Sequence, residues 1–379
     1  MKTLSAVSQP PIKILFCIDR LVRGGTELQL TGLIDHLDRD RYTPYLLTIR
    51  PTDPALIPEN CQHLDLHVPK LFSVSGLRSL WFLVRFLREE NIQIVQAFFQ
   101  DSTIFAGLAS RIAGTPARIA CFRDLAFWND SRQTRLLRWI YPLMNGYLAN
   151  ADVVLNHFSN IFRIDVNRAC VIRNGVDATN LGFQEHTGAT TDIGIVGNMT
   201  RTVKRTDLFI RAASIVHQQY PDIRWHILGD GHLRPKLERL VKEQGISDRV
   251  IFAGRIEDVS GYLARLQVGV ICSDSEGLSN ALLEYMFRGV AAVATEVGGN
   301  TELVEHGVTG LNVPPGNPQA LADALIRLIE QPELRAKLAR TARSRVEMIY
   351  SWDNCLAEHG RVYNSLLQTQ KMELPACGS

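Results

Sequence analysis

Short runs of β-branched and aliphatic residues alternate with stretches of helical periodicity along most of the chain. Each apolar run has the length of a buried strand, and each periodic stretch between two runs has the length of a helix. Because parallel strands need crossover connections, this alternation predicts parallel sheets with helices on both faces. The predicted fold class is therefore α/β.

The alternation comes in two series. The first predicts strands over 12–18, 45–49, 92–97 and 117–121, with helices over 26–37, 77–90, 102–113 and 132–143. The second predicts strands over 193–196, 223–228, 250–253, 268–272 and 291–295, with helices over 206–217, 233–243, 280–288 and within 318–349. Between the two series, a polar stretch rich in glycine and threonine is typical of a linker.

This interruption predicts two doubly wound, Rossmann-like domains. We expect an N-terminal domain over residues 1–175, a linker over 176–191 and a C-terminal domain over 192–350. In doubly wound sheets, ligands bind at the carboxyl ends of the strands, where loops lead into helix N-termini. Two such sheets that face each other would enclose a cleft, so functional motifs are expected on those loops.

Composition argues against several other classes of protein. The chain has 379 residues, of which 46% are apolar, and this argues for two globular domains and against intrinsic disorder. Lysines and arginines number 41 against 39 aspartates and glutamates. A charge balance this even argues against nucleic acid as a partner.

Cysteine usage and hydropathy bear on the cellular compartment. The seven cysteines are scattered and include no C-x-x-C pair, as expected for a reducing, cytoplasmic compartment. No run of eighteen apolar residues occurs, and the N-terminus is too polar for a signal peptide. We therefore expect a cytoplasmic protein without a membrane-spanning segment.

Two glycine-containing loops follow strands at positions that suit an anion. Gly24-Gly25 comes after the first strand, and paired glycines permit close backbone approach to a ligand. Segment 197–205 follows the first strand of the second domain and ends on Lys204 and Arg205. Cations there would neutralise a diphosphate, although a plain turn and a solvated basic loop explain the two segments equally well.

A pair of glutamates marks the loop and the helix after the strand predicted at 268–272. Glu276 lies on the loop, and Glu284, eight residues later, lies about two turns into the helix. The start of this helix aims backbone N–H groups at an anion, while the two carboxylates accept hydrogen bonds from hydroxyls on either side. The arrangement is typical of a nucleotide-sugar site, with the diphosphate at the helix dipole and the sugar and ribose near the carboxylates.

With these motifs the chain resembles glycosyltransferase family 4, retaining nucleotide-sugar-dependent enzymes of GT-B fold whose signature is two glutamates eight residues apart. The resemblance runs from about Ile12 to Gln368 and is carried mainly by the second domain. It implies that the last helix, within 351–379, crosses back onto the first domain. It rests on Gly24-Gly25, Asn174-Gly175-Val176-Asp177, Val203-Lys204-Arg205, Leu228-Gly229-Asp230-Gly231, 276–284, 297–304 and 307–311.

The resemblance also implies roles for individual residues. Lys204, assisted by Arg201, would hold the donor diphosphate, Glu276 would hydrogen-bond the donor sugar, and Glu284 would bind the ribose. Arg201, Lys204 and Glu276 would carry catalysis by stabilising the departing nucleoside diphosphate. The remaining implied donor contacts are Gly24, Gly25, Asn198, Arg255, Gly277, Leu278, Ser279 and Asn280.

The chain departs from the family pattern at two places. Asn198 stands where many members have an arginine, which shifts the phosphate load to Arg201 and Lys204. No histidine occurs over 68–156, where many members carry one near the reacting sugar, so we expect no histidine-dependent step. The candidate acceptor-side residues are Asp101, Arg123 and Asp124.

Histidine spacing bears on metal binding, and the composition of segment 70–148 bears on membrane binding. We expect no cofactor and no metal, because His226 and His232 have no partners at a recognisable ligand spacing. Segment 70–148 carries ten cations against five acids and interleaves tryptophan and phenylalanine. This composition suits an anionic membrane surface as a partner, and it equally suits packed helices with arginines on their wet side.

The leading hypothesis is a cytoplasmic, retaining glycosyltransferase in polysaccharide or glycoconjugate biosynthesis. It would move a sugar from a nucleoside-diphosphate sugar to a saccharide or lipid-linked saccharide, at the inner face of the cytoplasmic membrane if it docks there. A sugar-nucleotide epimerase of the same fold is a second hypothesis, but it would need a well-placed general acid and base. A non-catalytic nucleotide-sugar binding module is the third.

Overall fold

The chain folds into two compact units. The computed structural model describes residues 10–125, 131–177, 182–186, 188–189, 192–256 and 258–368. The first unit comprises Met1–Gly175 with Trp352–Ser379, and the second comprises Val176–Ser351. Each unit is built on its own parallel sheet with helices between the strands, so the predicted α/β class is confirmed.

The first unit contains a seven-stranded sheet in the order β3-β2-β1-β4-β5-β6-β7. Its strands are β1 (Ile12–Ile18), β2 (Tyr42–Thr48), β3 (Gln62–Asp65), β4 (Ile94–Phe98), β5 (Ala117–Phe122), β6 (Gly146–Ala149) and β7 (Ala169–Val171). Its helices are α1 (Gly25–His36), α2 (Val74–Glu89), α3 (Gln100–Ala113), α4 (Ser131–Ile140) and α5 (Asp152–Phe162). Strand order reverses between β1 and β4, and this switch point is where doubly wound sheets bind ligands.

The differences from the predicted elements have physical causes. β2 begins at Tyr42, whereas the predicted strand begins at Tyr45. The prediction left out the first residues because Pro44 has no N–H for the strand ladder and usually lies outside strands. β3, β6 and β7 were not predicted, since strands of three or four residues leave no measurable periodicity. By contrast, Ile14–Ile18 of β1 are fully buried, as a continuous apolar run in a sheet covered on both faces should be.

The second unit contains a six-stranded sheet in the order β10-β9-β8-β11-β12-β13. Its strands are β8 (Asp192–Val196), β9 (Arg224–Leu228), β10 (Val250–Gly254), β11 (Val268–Ile271), β12 (Ala291–Thr295) and β13 (Leu311–Val313). Its helices are α6 (Thr206–His217), α7 (Arg234–Glu243), α8 (Val259–Leu263), α9 (Asn280–Arg288), α10 (Asn300–Leu303), α11 (Pro318–Glu330) and α12 (Pro332–Ile349). The switch point of this sheet lies between β8 and β11.

The helical stretch at 318–349 is two helices. Pro332 has no N–H to continue the hydrogen-bond ladder and disfavours helical backbone at Gln331, so α11 ends and α12 begins there. Arg335, in the first turns of α12, is buried and donates to the Leu328 carbonyl oxygen at 3.2 Å. The two helices therefore meet at a fixed corner.

The last described helix, α13 (Trp352–Gln368), belongs to the first unit. Its Trp352 ring stacks on His36 of α1 with 4.6 Å between ring centroids. Its buried Tyr363 donates from the hydroxyl to Oε1 of Gln96 in β4 at 2.6 Å. Apolar packing and one buried hydrogen bond thus hold α13 against the first sheet.

Replacing Tyr363 with phenylalanine is expected to lower the free energy of unfolding by about 1–3 kcal/mol, because the buried Gln96 carbonyl loses its donor. Urea unfolding followed by circular dichroism measures this loss. The matched control is Tyr220→Phe, which removes a surface hydrogen bond to Glu330 in the second unit. The control should change stability by less than about 0.5 kcal/mol. Equal effects of the two substitutions would contradict the tight docking of α13.

Candidate functional site

The cationic loop, residues 197–205, leaves β8 at the switch point of the second sheet. Its start is bonded to the loop after β9: Gly197 donates to the Leu228 carbonyl at 3.0 Å and Met199 to the Asp230 carbonyl at 3.0 Å. Gly229, at φ 123°, approaches so closely that a Cβ there would lie 2.2 Å from the Gly197 oxygen. Only glycine fits this position.

Lys204, at the far end of the cationic loop, forms an ion pair with Glu276. Its Nζ lies 2.6 Å from Glu276 Oε1, and the Ser273 hydroxyl donates to the same oxygen at 2.6 Å. Glu276 is buried, whereas about a third of the Lys204 side chain is exposed. The structure therefore brings together two of the predicted site residues and adds Ser273, which sequence analysis did not select.

Backbone bonds join the two loops that carry this ion pair. Asp274, just after β11, donates from its N–H to the Val203 carbonyl at 2.8 Å, and the Cys272 thiol donates to the Arg205 carbonyl at 3.0 Å. The Arg205 guanidinium donates to Asp274 at 2.9 Å and to Asp207 at 3.0 Å. The hydrogen bond to Asp207 is the main cause of the raised pKa of Arg205. Arg205 is thus a structural cation that locks the loops together.

Arg201 lies apart from the Lys204–Glu276 pair. Its exposed side chain lines a groove of about 360 Å³ between α6 and α7, together with Lys236 and Arg239. Its carbonyl accepts from the Lys204 N–H at 3.4 Å, but its side chain does not cap the short helical turn that follows it. The structure therefore does not group the Arg201 side chain with that of Lys204, although both belong to the cationic loop.

The segment between the two glutamates is held from behind by the loop after β12. Gly299 donates from its N–H to the Gly277 carbonyl at 2.8 Å. Gly298, at φ 50°, lies against the Glu276 backbone, where a Cβ would be 1.8 Å from its carbonyl oxygen. Leu278 and Ser279 are buried behind this contact. The loop is therefore fixed before α9 starts.

Helix α9 begins at Asn280 with Ser279 as its N-cap, whose hydroxyl accepts from the Leu282 N–H at 3.4 Å. Tyr285 anchors the helix under the sheet, because its hydroxyl accepts from the Val196 N–H of β8 at 2.8 Å. This anchor sets the position of its neighbour, Glu284.

Glu284 is the unusual acid of the second unit. Its side chain is only partly exposed, and no described residue forms a hydrogen bond or an ion pair with it. Burial without a partner disfavours the charged form, which raises its pKa from the ordinary 4.5 to about 7. A desolvated carboxylate without a protein partner is typical of a ligand site.

The other predicted donor residues of the second unit lie on neighbouring loops. Asn198 is exposed in the cationic loop. Arg255 is exposed directly after β10, whose last residue Gly254 has φ 69°. β10 is the edge strand, two strands away from β8, so Arg255 lies at the margin of the site.

In the first unit, Gly24 and Gly25 occupy the start of α1. Gly24 is the N-cap residue in extended conformation, and Gly25 is the first residue of the helix. Gly24 has no side chain to cap the helix, and the buried Glu27 carboxylate lies so close that a Cβ on Gly24 would be 2.4 Å from its Oε2.

Asp101 belongs to a charged cluster at the switch point of the first sheet. Arg50, after β2, forms an ion pair with Asp101 and lies 3.8 Å from Asp19, which follows β1. Asp19 also accepts from the Ser102 N–H at 2.7 Å. Burial and the nearby Asp101 carboxylate raise the pKa of Asp19 to about 6. Asp19 and Arg50 were not predicted from the sequence as site residues, although each directly follows an apolar run.

Arg123 has a structural environment. Its guanidinium donates to Asn174 Oδ1 at 2.9 Å, and its carbonyl accepts from Asn150 at 3.3 Å. Burial lowers the pKa of Arg123. Asp124, the next residue, is partly exposed. Arg123 therefore ties the end of β5 to neighbouring loops.

The described part of the chain contains neither a metal-ligand cluster nor a membrane-spanning helix. Among its residues, no group of three or more histidines, cysteines and carboxylates is placed to hold a metal ion. None of the helices described there is long and apolar enough to cross a bilayer.

The raised pKa of Glu284 predicts a pH dependence of stability. Between pH 4.5 and about 7, the unfolded chain ionises this group while the folded chain keeps it protonated, so folding stability falls as pH rises. Glu284→Gln cannot ionise and should gain roughly 1–3 kcal/mol relative to wild type between pH 5 and pH 8. Chemical unfolding at the two pH values measures this gain. The exposed Glu243→Gln is the control, and an equal pH response of both variants would contradict the assignment.

Two family models match the chain. The model described as Glycosyltransferase Family 4 matches residues 23–180, and the model described as Glycosyl transferases group 1 matches residues 190–331. Together the matches cover most of both units.

Three curated relatives act on saccharides or build them, according to their names. VipC/TviE, a Vi polysaccharide biosynthesis protein of Salmonella typhi, is 27% identical over 60% of this chain and 43% of its own length. N-acetyl-alpha-D-glucosaminyl L-malate synthase of Bacillus anthracis is 31% identical over 45% of each chain. The lipopolysaccharide core biosynthesis mannosyltransferase LpcC of Rhizobium leguminosarum bv. viciae is 28% identical over 62% of this chain and 69% of its own. The chain thus spans less than half the length of the first two.

Solved structures share the fold. HepE of Anabaena, in complex with UDP and glucose, matches with a TM-score of 0.81 at 21% identity, over 93% of this chain and 100% of that chain. Sucrose-phosphate synthase of Thermosynechococcus elongatus matches with a TM-score of 0.78 at 18% identity, over 94% and 99% of the two chains. With family models matching both halves and the architecture shared throughout, the chain belongs to glycosyltransferase family 4 and has the GT-B fold.

Proposed function

We propose that the protein is a retaining glycosyltransferase that moves a sugar from a nucleoside-diphosphate sugar to a saccharide or lipid-linked saccharide. The main support for this function is Glu284, desolvated and without a partner among the described residues, which lies on the same loop-and-helix element as Glu276 of the Lys204–Glu276 ion pair. A cation, an anion-binding helix start and two carboxylates match the chemistry of a nucleotide sugar.

Without ligand, Lys204 and Glu276 bind each other. With the donor present, Lys204 binds its diphosphate and Glu276 binds its sugar. Lys204, a third exposed, exchanges its carboxylate partner for the donor diphosphate, which carries more negative charge. Glu276 is then freed to accept hydrogen bonds from sugar hydroxyls, while Ser273 keeps its carboxylate oriented. Diphosphate binding and sugar binding are thereby linked through one broken ion pair.

Glu284 serves the ribose. A carboxylate accepts hydrogen bonds from two vicinal hydroxyls, and these bonds favour its ionised form over the protonated one. The ribose hydroxyls therefore supply the hydrogen bonds that no described residue of the protein gives to Glu284. A specific site built in this way rejects ligands that lack the hydroxyls, because the carboxylate is left unsatisfied.

In the proposed reaction, the bond between the anomeric carbon and the diphosphate oxygen breaks, and its electron pair stays with the diphosphate. The acceptor hydroxyl oxygen bonds to the anomeric carbon on the same face of the sugar, which retains the anomeric configuration, and the hydroxyl proton passes to the departing diphosphate oxygen. Lys204 and the N-terminus of α9 stabilise the charge that develops on the departing diphosphate. We propose that no metal and no cofactor takes part, since this positive charge does the work a metal would do.

The relatives support the substrate classes in this proposal. HepE has been solved with UDP and glucose, and LpcC is named as a mannosyltransferase of the lipopolysaccharide core. We propose that the acceptor hydroxyl is bound in the first unit, where Asp101, Arg50 and Asp19 meet at the switch point of the sheet.

Lys204→Ala is expected to lower kcat by roughly 10²–10³-fold, because the departing diphosphate loses its charge-assisted partner. The assay is nucleoside diphosphate release from a panel of UDP-, GDP- and ADP-sugars with oligosaccharide acceptors, with and without EDTA. Lys236→Ala, which removes an exposed cation of α7, is the matched control and should leave kcat unchanged.

Other outcomes of this assay would point to another function or to another mechanism. Binding of a nucleotide sugar without turnover on any acceptor would favour a binding module, and conversion of the donor to an isomer without acceptor would favour an epimerase. Product of inverted anomeric configuration, read by nuclear magnetic resonance, would contradict retention. Loss of activity in EDTA would contradict metal independence.

A further inference from the structure

Helix α2 of the first unit carries two apolar stripes, and the unit's core uses only one. The buried stripe consists of Leu83, Val84 and Leu87. A second set of large apolar side chains is exposed on the helix and at Phe72, two residues before its start. We call it the α2 face: Phe72 (76% exposed), Val74 (70%), Leu77 (56%), Trp81 (56%) and Phe82 (44%).

The members of the α2 face lie together because of helix geometry. Val74, Leu77 and Trp81 are separated by three and four residues, so their side chains line one side of the helix. Ser73 caps the helix by accepting from the Gly76 N–H at 3.1 Å, and Phe72 directly precedes this cap. Exposed apolar residues are common singly, whereas five large ones within positions 72–82 are typical of a binding surface.

Exposed cations are interleaved with this group. Arg78 lies between Leu77 and Trp81, Arg85 lies one turn beyond Trp81, and Lys70 precedes Phe72. No acid occurs in the sequence from Lys70 to Arg88. The first acid after the face, Glu89, is paired with Arg85 at 3.4 Å. The α2 face is therefore apolar and cationic at once.

The geometry points to an anionic lipid surface as the occupant of the α2 face, a role that goes beyond the proposed transfer reaction. Tryptophan, phenylalanine and aliphatic side chains insert at the boundary between headgroups and acyl chains, while the flanking Arg78, Arg85 and Lys70 meet anionic headgroups. A second copy of the chain would bring the same cations against each other and is disfavoured by repulsion. A nucleic acid would leave Val74 and Leu77 without apolar partners.

Neighbouring helices extend the layer in which the face lies. α3 contacts both α2 and α4, so the three helices form one layer on the same side of the first sheet. α4 adds Trp139, which is 77% exposed, next to Arg138. A bilayer is broad enough to meet such a dispersed set of anchors, whereas a small ligand is not.

The test is co-sedimentation of the full chain with vesicles of phosphatidylglycerol and phosphatidylcholine, compared with vesicles of phosphatidylcholine alone. We expect binding to the anionic vesicles that weakens at high salt, and a blue shift of tryptophan fluorescence that Trp81→Phe reduces. Arg78→Glu with Arg85→Glu should lower the partition coefficient at least about tenfold. Phe72→Ser with Trp81→Ser should lower it to a similar extent.

Two controls separate this surface from general effects. Val166→Ser removes an exposed apolar side chain elsewhere in the first unit, and Lys337→Glu reverses an exposed cation on α12. Both should bind vesicles as wild type does, and every variant should keep wild-type thermal unfolding. Turnover of soluble donor and acceptor should also be unchanged in the α2-face variants, so that failure of docking is distinguished from failure of the proposed transfer.

Several results would overturn the proposal. These are absence of vesicle binding, equal binding to the two vesicle types, or binding that the α2-face substitutions leave intact. Concentration-dependent self-association that these substitutions abolish would assign the face to a second copy of the chain. Salt-sensitive binding to single-stranded DNA in place of vesicles would assign it to a nucleic acid.

Discussion

Close backbone contact between loops from different strands is the constraint on which the candidate donor site depends. The loop after β8 is bonded to the loops after β9 and β11, and the loop after β12 lies against the backbone of Glu276 and Gly277. These contacts leave no room for a Cβ at Gly229 or Gly298. A parallel sheet ends all its strands at one edge, so four loops meet there and fix each other.

The second unit holds two carboxylates that differ in whether they have hydrogen-bond partners. Glu276 is satisfied by Lys204 and Ser273, whereas Glu284 is desolvated and has no partner among the described residues. A partly buried carboxylate without a protein partner lowers folding stability, and such groups are typical of sites where a ligand supplies the missing partners. The position of Glu284 is fixed by α9, whose start is capped by Ser279 and whose Tyr285 hydroxyl accepts from the Val196 N–H.

Sequence patterns predicted the fold class because long apolar runs and helical periods are strong signals, as β1 and α6 illustrate. They also selected Glu276, Lys204 and Glu284 by spacing and by family resemblance. They did not predict that Glu276 bonds to Lys204, because that contact joins residues 72 positions apart in the chain. Asp19 and Arg50 were missed for the same reason, since a charged residue after a strand gains meaning only when the sheet order is known.

We propose that Glu284 binds the ribose of a nucleotide sugar, and calorimetric titration near pH 7 in buffers of different ionisation enthalpy measures the proton release that this contact requires. The two phosphates of a nucleotide sugar are fully ionised there, so a proton released on binding comes from the protein. Because ribose hydroxyls lower the pKa of Glu284 from about 7, we predict proton release by wild type and its loss in Glu284→Gln. Nucleotide-sugar binding without proton release, or with the same release in the variant, would contradict this role of Glu284.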